Sequence, residues 1–296
     1  MLTAPSPGPE PALPAMGWAG RALRHPSFSV GALLTGALAL AALLSLFWSP
    51  YPPGDIDIPA KLQAPSAAHW LGTDSLGRDI ASQLLVGSQN SIVVGVVAVG
   101  IGLLIGVALG CLAAAAKAGG RPWVDELVMR ASDFTFAFPA LLSAIMLTAI
   151  YGPGLLMSIV AIGIFNIPVF ARITRGAAQA VWTREYITAA RVCGKGPLAI
   201  TIDHVLPNIA SQIVVQATIS FATAILAEAA LSYLGLGTQP PQPSWGRMLN
   251  EAQTLMFQAP MLAVYPGAAI MLSVLGLNLM GDGLRDLLDP KLARRR

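Results

Sequence analysis

Residues 134–171 run for 38 positions without an Asp, Glu, Lys or Arg. A helix that crosses the hydrocarbon of a bilayer needs roughly 20 apolar residues, so this stretch is long enough for two. Tyr151-Gly152-Pro153-Gly154 interrupts it, and Gly beside Pro marks a turn. The pattern predicts helices over about 134–150 and 155–172. Four further runs meet the length: Val30–Ser49, Ile80–Ala116, Ile209–Leu234, whose one charge is Glu228, and Ala259–Met280. The expectation is an all-α polytopic membrane protein with six transmembrane helices. Composition agrees. Hydrophobic residues make up 55% of the 296 and charged residues only 11%, against about 25% charged in a soluble domain. The 29 Gly and 23 Pro suit membrane helices, where neighbours satisfy the backbone groups that such residues free.

Six spans place both termini on one side, and Lys and Arg decide which. With the termini inside, only Lys61, Arg78 and Arg247 of the 18 basic residues fall in outer loops. That asymmetry favours cytoplasmic termini. It also accounts for the basic pI without a nucleic-acid surface. The first span is too long for a cleavable signal, and Pro50-Tyr51-Pro52-Pro53 follows it rather than a small-residue cleavage site. Residues 1–27 read as a cytoplasmic tail, rich in Pro, Ala and Gly and expected to be disordered at its start. Residues 28–284 form the six-helix domain, and residues 285–296 a basic cytoplasmic tail.

Three polar segments are longer than connections need. Residues 50–80 contain His69-Trp70-Leu71-Gly72-Thr73-Asp74-Ser75-Leu76-Gly77-Arg78-Asp79. Thr73 or Asp74 can cap a helix start, and Trp70 suits the membrane interface. The segment reads either as a capped surface stretch or as a docking surface for an extracytoplasmic partner, with Asp74, Arg78 and Asp79 as contacts. Residues 237–258 carry Pro240-Pro241-Gln242-Pro243-Ser244-Trp245-Gly246, followed by a possible short helix over Met248–Phe257. A rigid loop and a lid over a translocation path are both open, and Trp245 is a docking candidate. Residues 176–208 lie inside. There Thr183 can cap a helix, Gly194 can end it at positive φ, Pro197 can start a second, and Pro207 is expected to break the chain before the next span.

This inner loop resembles the EAA motif of ABC-importer permeases: E-A-A, three residues, G, nine residues, I, one residue, L-P. Here it reads Thr188-Ala189-Ala190, then Gly194, then His204-Val205-Leu206-Pro207 at the motif spacing. Thr188 replaces the motif Glu and His204 the motif Ile. Glu185, one helical turn earlier, could supply a carboxylate on nearly the same face. Leu71–Asp79, Ala227–Gly237, Pro240–Gly246 and Asn278–Lys291 are similar to the dipeptide/oligopeptide/nickel permeases, in particular their "C" subunit. The likeness covers roughly residues 25–292.

The resemblance implies a permease subunit of an ATP-driven importer for di- or oligopeptides in a bacterial inner membrane. It implies a coupling loop over about 183–207, in which Glu185, Thr188, Ala189, Ala190, Gly194, Leu206 and Pro207 receive the motion of ATPases. The implied partners are a second homologous permease forming a heterodimer, two ABC ATPase subunits or domains, an extracytoplasmic substrate-binding protein and membrane lipid. ATP and Mg would sit in the partner subunits, with no cofactor in this chain. Nickel, glutathione or another small solute is the alternative cargo, and a stand-alone secondary transporter the alternative class. Such transporters carry internal repeats and mid-membrane charges, and neither is evident.

Catalysis by the chain itself finds no support. Gly194-Lys195-Gly196 lacks the Ser/Thr and upstream Gly of a P-loop. Two cysteines, Cys111 and Cys193, give neither a disulfide framework nor a Cys-based zinc site. His25, His69 and His204 are far apart, so no metal site is expected. Glu228 is the clear intramembrane ionisable group, and both hydrogen bonding to a neighbouring helix and contact with the substrate path are open for it.

Overall fold

The computed structural model describes residues 24–288, together with Gly20 and Ala22. Of the expected tails at 1–27 and 285–296, residues 1–19, 21, 23 and 289–296 lie outside the described residues. Ten α-helices follow in order: α1 (Pro26–Phe47), α2 (Ile80–Ala118), α3 (Pro122–Ala137), α4 (Ala140–Tyr151), α5 (Leu155–Trp182), α6 (Glu185–Val192), α7 (Pro197–Ile200), α8 (Leu206–Tyr233), α9 (Trp245–Ala252) and α10 (Met261–Leu288). Among the described residues, extended pairing is limited to an isolated bridge between Thr73 and Asp79.

Helices α1, α2, α5 and α10, and the continuous helical path Pro197–Tyr233 that ends in α8, are each long and apolar enough to cross a membrane. The sixth span is not the straight helix expected at 134–150. In its place stands the pair α3 and α4, together long and apolar enough to cross a membrane and bent by 79° at Phe138-Pro139. Proline disfavours helical backbone in the residue before it, and Phe138 is extended at φ −97°, ψ 131°. The expected turn after it is present. Gly152 takes φ +93°, and the Gly154 amide donates to the Leu236 carbonyl, tying the turn to the end of α8.

Small residues set the packing. On α2, Gly102, Gly106 and Gly110 recur every fourth residue on one face. A Cβ at Gly106 would lie 2.5 Å from the Ile167 carbonyl oxygen, and one at Gly110 would lie 2.5 Å from that of Ala171. The backbones of α2 and α5 therefore approach as closely as glycine allows, the means by which membrane helices associate without a hydrophobic driving force between them. A core of Val94, Ala98, Ile159, Phe170, Ala224 and Leu231 fills the junction of α2, α5 and α8.

The 39 residues of α2 make it about 58 Å long, with a distinct structure at each end. Its start meets a platform built from residues 48–79 and α9, where Trp245 donates its indole N–H to the Leu84 carbonyl at 3.0 Å. Its far end meets α6 and α7 through Cys111 and Ala114. The described chain both begins and ends at this second end, where His25 and Asp286 pair at 3.3 Å.

Candidate coupling site and the opposite platform

Helix α6 carries the motif residues. Arg184, in extended conformation, occupies its N-cap. The expected cap, Thr183, instead turns back into α5, donating to the Ala180 carbonyl at 3.0 Å. The C-terminus behaves as the sequence predicts. Gly194 has φ +83°, its amide donates to Arg191 O, and the Lys195 amide donates to Ala190 O. These two bonds are the Schellman pair that closes a helix around a left-handed residue.

One face of this element is an anchor. Ile187, Ile200, Val205 and Ile209 are all but completely buried against Cys111, Ala114, Ala178 and Trp182. Each contributes about 1.5–3 kcal/mol of apolar burial. Ala190 and Leu206 are half-buried against the same cluster. The other face is open. Glu185, Thr188, Ala189 and Gly194 are exposed, and Pro207 is exposed beyond them. Glu185 and Thr188 therefore present their side chains together on one surface. His204, in the motif Ile position, sets its ring edge-on to Tyr186 at 6.2 Å between centroids and places Nε2 3.4 Å from Lys195 Nζ. Lys195 also pairs with Asp203 at 3.0 Å.

Pro207 does not break the chain. A helical path runs from Pro197 to Tyr233. Residues Thr201–Val205 form a π turn, in which the Leu206 amide donates to Thr201 O. Proline lacks the N–H for an ordinary bond to the carbonyl four residues back and crowds that carbonyl. The wide turn immediately before it relieves this crowding, so the helical path passes through Pro207.

At the platform, the docking candidates turn inward. Asp74, Arg78, Asp79 and Trp245 are each at least 92% buried, so they build the platform rather than offer side chains to a partner. Asp74 caps no helix. Its Oδ1 accepts the Leu76 and Arg78 amides at 2.8 and 2.9 Å, and its Oδ2 accepts Arg78 Nε at 2.6 Å and Gln83 Nε2 at 2.8 Å. The cap of α2 is Asp79, which accepts from the Ser82 amide and hydroxyl at 2.8 Å each. Arg78 also pairs with Glu251 on α9. Burial alone would lower the Arg78 pKa, but Asp74 and Glu251 outweigh it and hold the guanidinium above its ordinary value. The short helix expected at Met248–Phe257 starts earlier, because the Ser244 hydroxyl accepts the Arg247 amide and caps α9. A Cβ on Gly246 would lie 2.1 Å from the Ala229 carbonyl oxygen, so α9 sits directly on α8.

Glu228 is fully buried within this chain. Its Oε1 accepts the Ser232 hydroxyl at 2.6 Å, and Thr238 Oγ1 stands 3.4 Å away. The Ser232 hydroxyl in turn accepts the Thr238 amide at 3.1 Å. Through Oε1 the carboxyl thus ties Thr238 to α8, while its Oε2 is buried without a hydrogen-bond partner. Two ion pairs escaped the sequence reading, Asp125 with Arg175 and Asp133 with Arg172, and they hold α3 against α5. Among the described residues no cluster of three or more His, Cys, Asp or Glu side chains could hold a metal.

Spans packed through small residues, with anchored short helices at one end and a buried ionic platform at the other, define a multi-pass membrane protein. The chain belongs to the family described as the binding-protein-dependent transport system inner membrane component, which it matches over residues 106–294. It is 44% identical over 266 residues to the glutathione transport system permease protein GsiD of Pectobacterium atrosepticum, covering 88% of this chain and 87% of the relative. It is 46% identical over 262 residues to the GsiD protein of Escherichia coli, covering 88% and 85%. A solved structure titled as inward-facing conformations of the MetNI methionine ABC transporter shares the fold, with a TM-score of 0.58 at 20% identity, covering 70% of this chain and 97% of that one. The chain is thus a permease subunit of an ABC importer, and the secondary-transporter alternative is set aside.

Proposed function

We propose that this chain forms half of the pore of an importer for short peptides or peptide-like solutes of the size of glutathione. The carrying observation is the arrangement of α6: Ile187 is locked into the bundle while Glu185, Thr188, Ala189 and Gly194 stand exposed. An element with one buried and one open face can pass a push from a partner into α2, α5 and α8. The partners are a second, homologous permease, two ATPase subunits or domains that bind ATP and Mg, and an extracytoplasmic binding protein. Helix α6 faces the cytoplasm. In support, Arg121, Arg184, Arg191 and Lys195 flank the spans at that end, while the platform end keeps Lys61, Arg78 and Arg247. ATP-driven approach of the ATPases re-packs the spans in alternating access. The relatives' names support a peptide-like cargo, and the spans offer no His/Cys set for a bare metal ion.

The test is ATP-dependent uptake of labelled glutathione and of a labelled dipeptide into vesicles. One set holds the whole complex and the other this chain alone. The complex should accumulate one or both solutes, and the chain alone should show neither uptake nor ATP hydrolysis. Uptake by the chain alone, or transport of neither solute by an ATPase-active complex, overturns the reading.

A further inference from the structure

Helix α8 spans the bundle, yet its open face is not that of a lipid-facing helix. Asn208, Gln212, Gln216, Ile219, Thr223 and Leu226 follow one another at intervals of three or four residues, which places them on one stripe. All are exposed except Gln216, which is half-buried. By contrast, the open face of α1 carries Leu33, Leu40, Leu43 and Phe47. Hydrocarbon cannot satisfy amide or hydroxyl groups, so a stripe bearing two exposed polar side chains in its first half and a threonine in its second is unsuited to lipid. Asn208, Gln216 and Thr223 each spend a donor on α8 itself or the turn before it, bonding to His204 O, Ser220 Oγ and Ser220 O. The Gln212 amide makes no such bond and opens onto a cleft of about 710 Å³, shared with Ala180, Arg184, Glu185, Tyr186 and Asn208.

We infer that this stripe of α8 lines the aqueous route through the importer, and that Gln212 is a specificity-determining contact for a solute carrying peptide bonds. A free carboxamide offers one acceptor and two donors, the complement of a backbone amide. The inference rests on the proposed pore-forming role.

The experiment uses the assembled importer in membrane vesicles, with Cys111→Ala and Cys193→Ser removing the native thiols. Single cysteines are placed at Gln212, Ile219 and Thr223 on the stripe, and at Val214, which is exposed on another face of α8. A charged, membrane-impermeant thiol reagent admitted to both faces should label the three stripe positions and leave Val214 unlabelled. Saturating glutathione or dipeptide should slow labelling at position 212. Gln212→Leu should raise the KM for uptake about five- to tenfold, the loss of one hydrogen bond, and Gln212→Asn should restore part of the loss. An unlabelled stripe would show that this face packs against protein or lipid, and equal labelling at Val214 would show that water access is not particular to the stripe; either result would overturn the inference. Labelling does not depend on the cargo. A labelled stripe in a complex that transports neither solute would therefore sink the proposed substrate class and leave the route standing.

Discussion

Arg78 and Glu251 stand 173 residues apart in the chain and form the ion pair that fastens α9 to the start of α2. The arginine side chain is only 8% exposed and shares its charge with Asp74 at 2.6 Å. The glutamate also accepts from Arg247 Nε at 2.9 Å. The platform is thus one connected ionic network, and its components come from both ends of the sequence.

Removing Arg78 should therefore unfasten the platform. Arg78→Ala leaves Asp74 buried with Gln83 as its main side-chain partner. The expected loss is about 3–5 kcal/mol, the range for breaking a buried pair from one side. Arg78→Lys keeps the charge but cannot bridge both carboxylates with a planar fork, and should fall between. Thermal unfolding of the purified complex, followed by size-exclusion recovery, gives the order. A wild-type melting profile for Arg78→Ala would mean that the network is ornamental.

A second ranking concerns α3. Asp125 is buried between Arg175 and Lys117, and the Arg175 side chain is 27% exposed. Asp133 and Arg172 are 65% and 44% exposed. Asp125→Ala leaves Arg175 of α5 without its carboxylate and should cost about 1–3 kcal/mol. Asp133→Ala breaks a solvated pair and should cost at most about 1 kcal/mol. Melting temperatures of the two variants, compared in one detergent, decide it, and a larger loss for Asp133→Ala would refute the burial argument.

These two networks mark the boundary of what the sequence reveals. The spans were legible because a run without charges has few other places to go, and the Gly152–Gly154 turn because Gly and Pro punctuate it. The break at Phe138-Pro139 was missed inside the same apolar run, although the restriction proline places on its predecessor was there to be read. The Gly102, Gly106 and Gly110 spacing on α2 was likewise visible and carried the packing against α5. The end of α6 at Gly194 was legible, since a local backbone need dictates glycine. Pro207 reads as a breaker in the sequence because the π turn that accommodates it leaves no residue signature. The inward turn of Asp74, Arg78 and Asp79 was not accessible at all. Their partners include Gln83 and Glu251, and nothing in the spacing of residues 74 and 251 signals proximity.

Topology is open to a direct chemical check. Cys111 is buried in α2, and Cys193 is exposed beside Gly194. If α6 faces the cytoplasm, an impermeant thiol reagent applied outside intact cells should label neither. In inverted vesicles lacking the ATPase partners, Cys193 should react and Cys111 should not. Labelling of Cys193 from outside would reverse the orientation of every span.

The coupling role of α6 is tested most directly at Gly194. Its φ of +83° costs a residue with a Cβ about 1–2 kcal/mol, and a β-branched side chain fits that region worst. A Cβ there meets nothing within 4 Å, so no clash inside this chain accompanies the strain. Gly194→Val should therefore insert all its spans and fold, while the turn into Lys195 is distorted and the exposed surface enlarged. The expected phenotype is a complex that assembles weakly or hydrolyses ATP without uptake. Gly194→Ala should show a smaller loss. Ala190→Asp, which places a carboxylate against the apolar anchor around Ile187, should resemble Gly194→Val. Lys61→Ala, on an exposed side chain of the platform, should leave both rates near wild type. ATPase rate and solute uptake are measured side by side on the reconstituted complex. Tight, wild-type coupling in a well-inserted Gly194→Val complex would show that α6 is a connector and that force enters the bundle elsewhere.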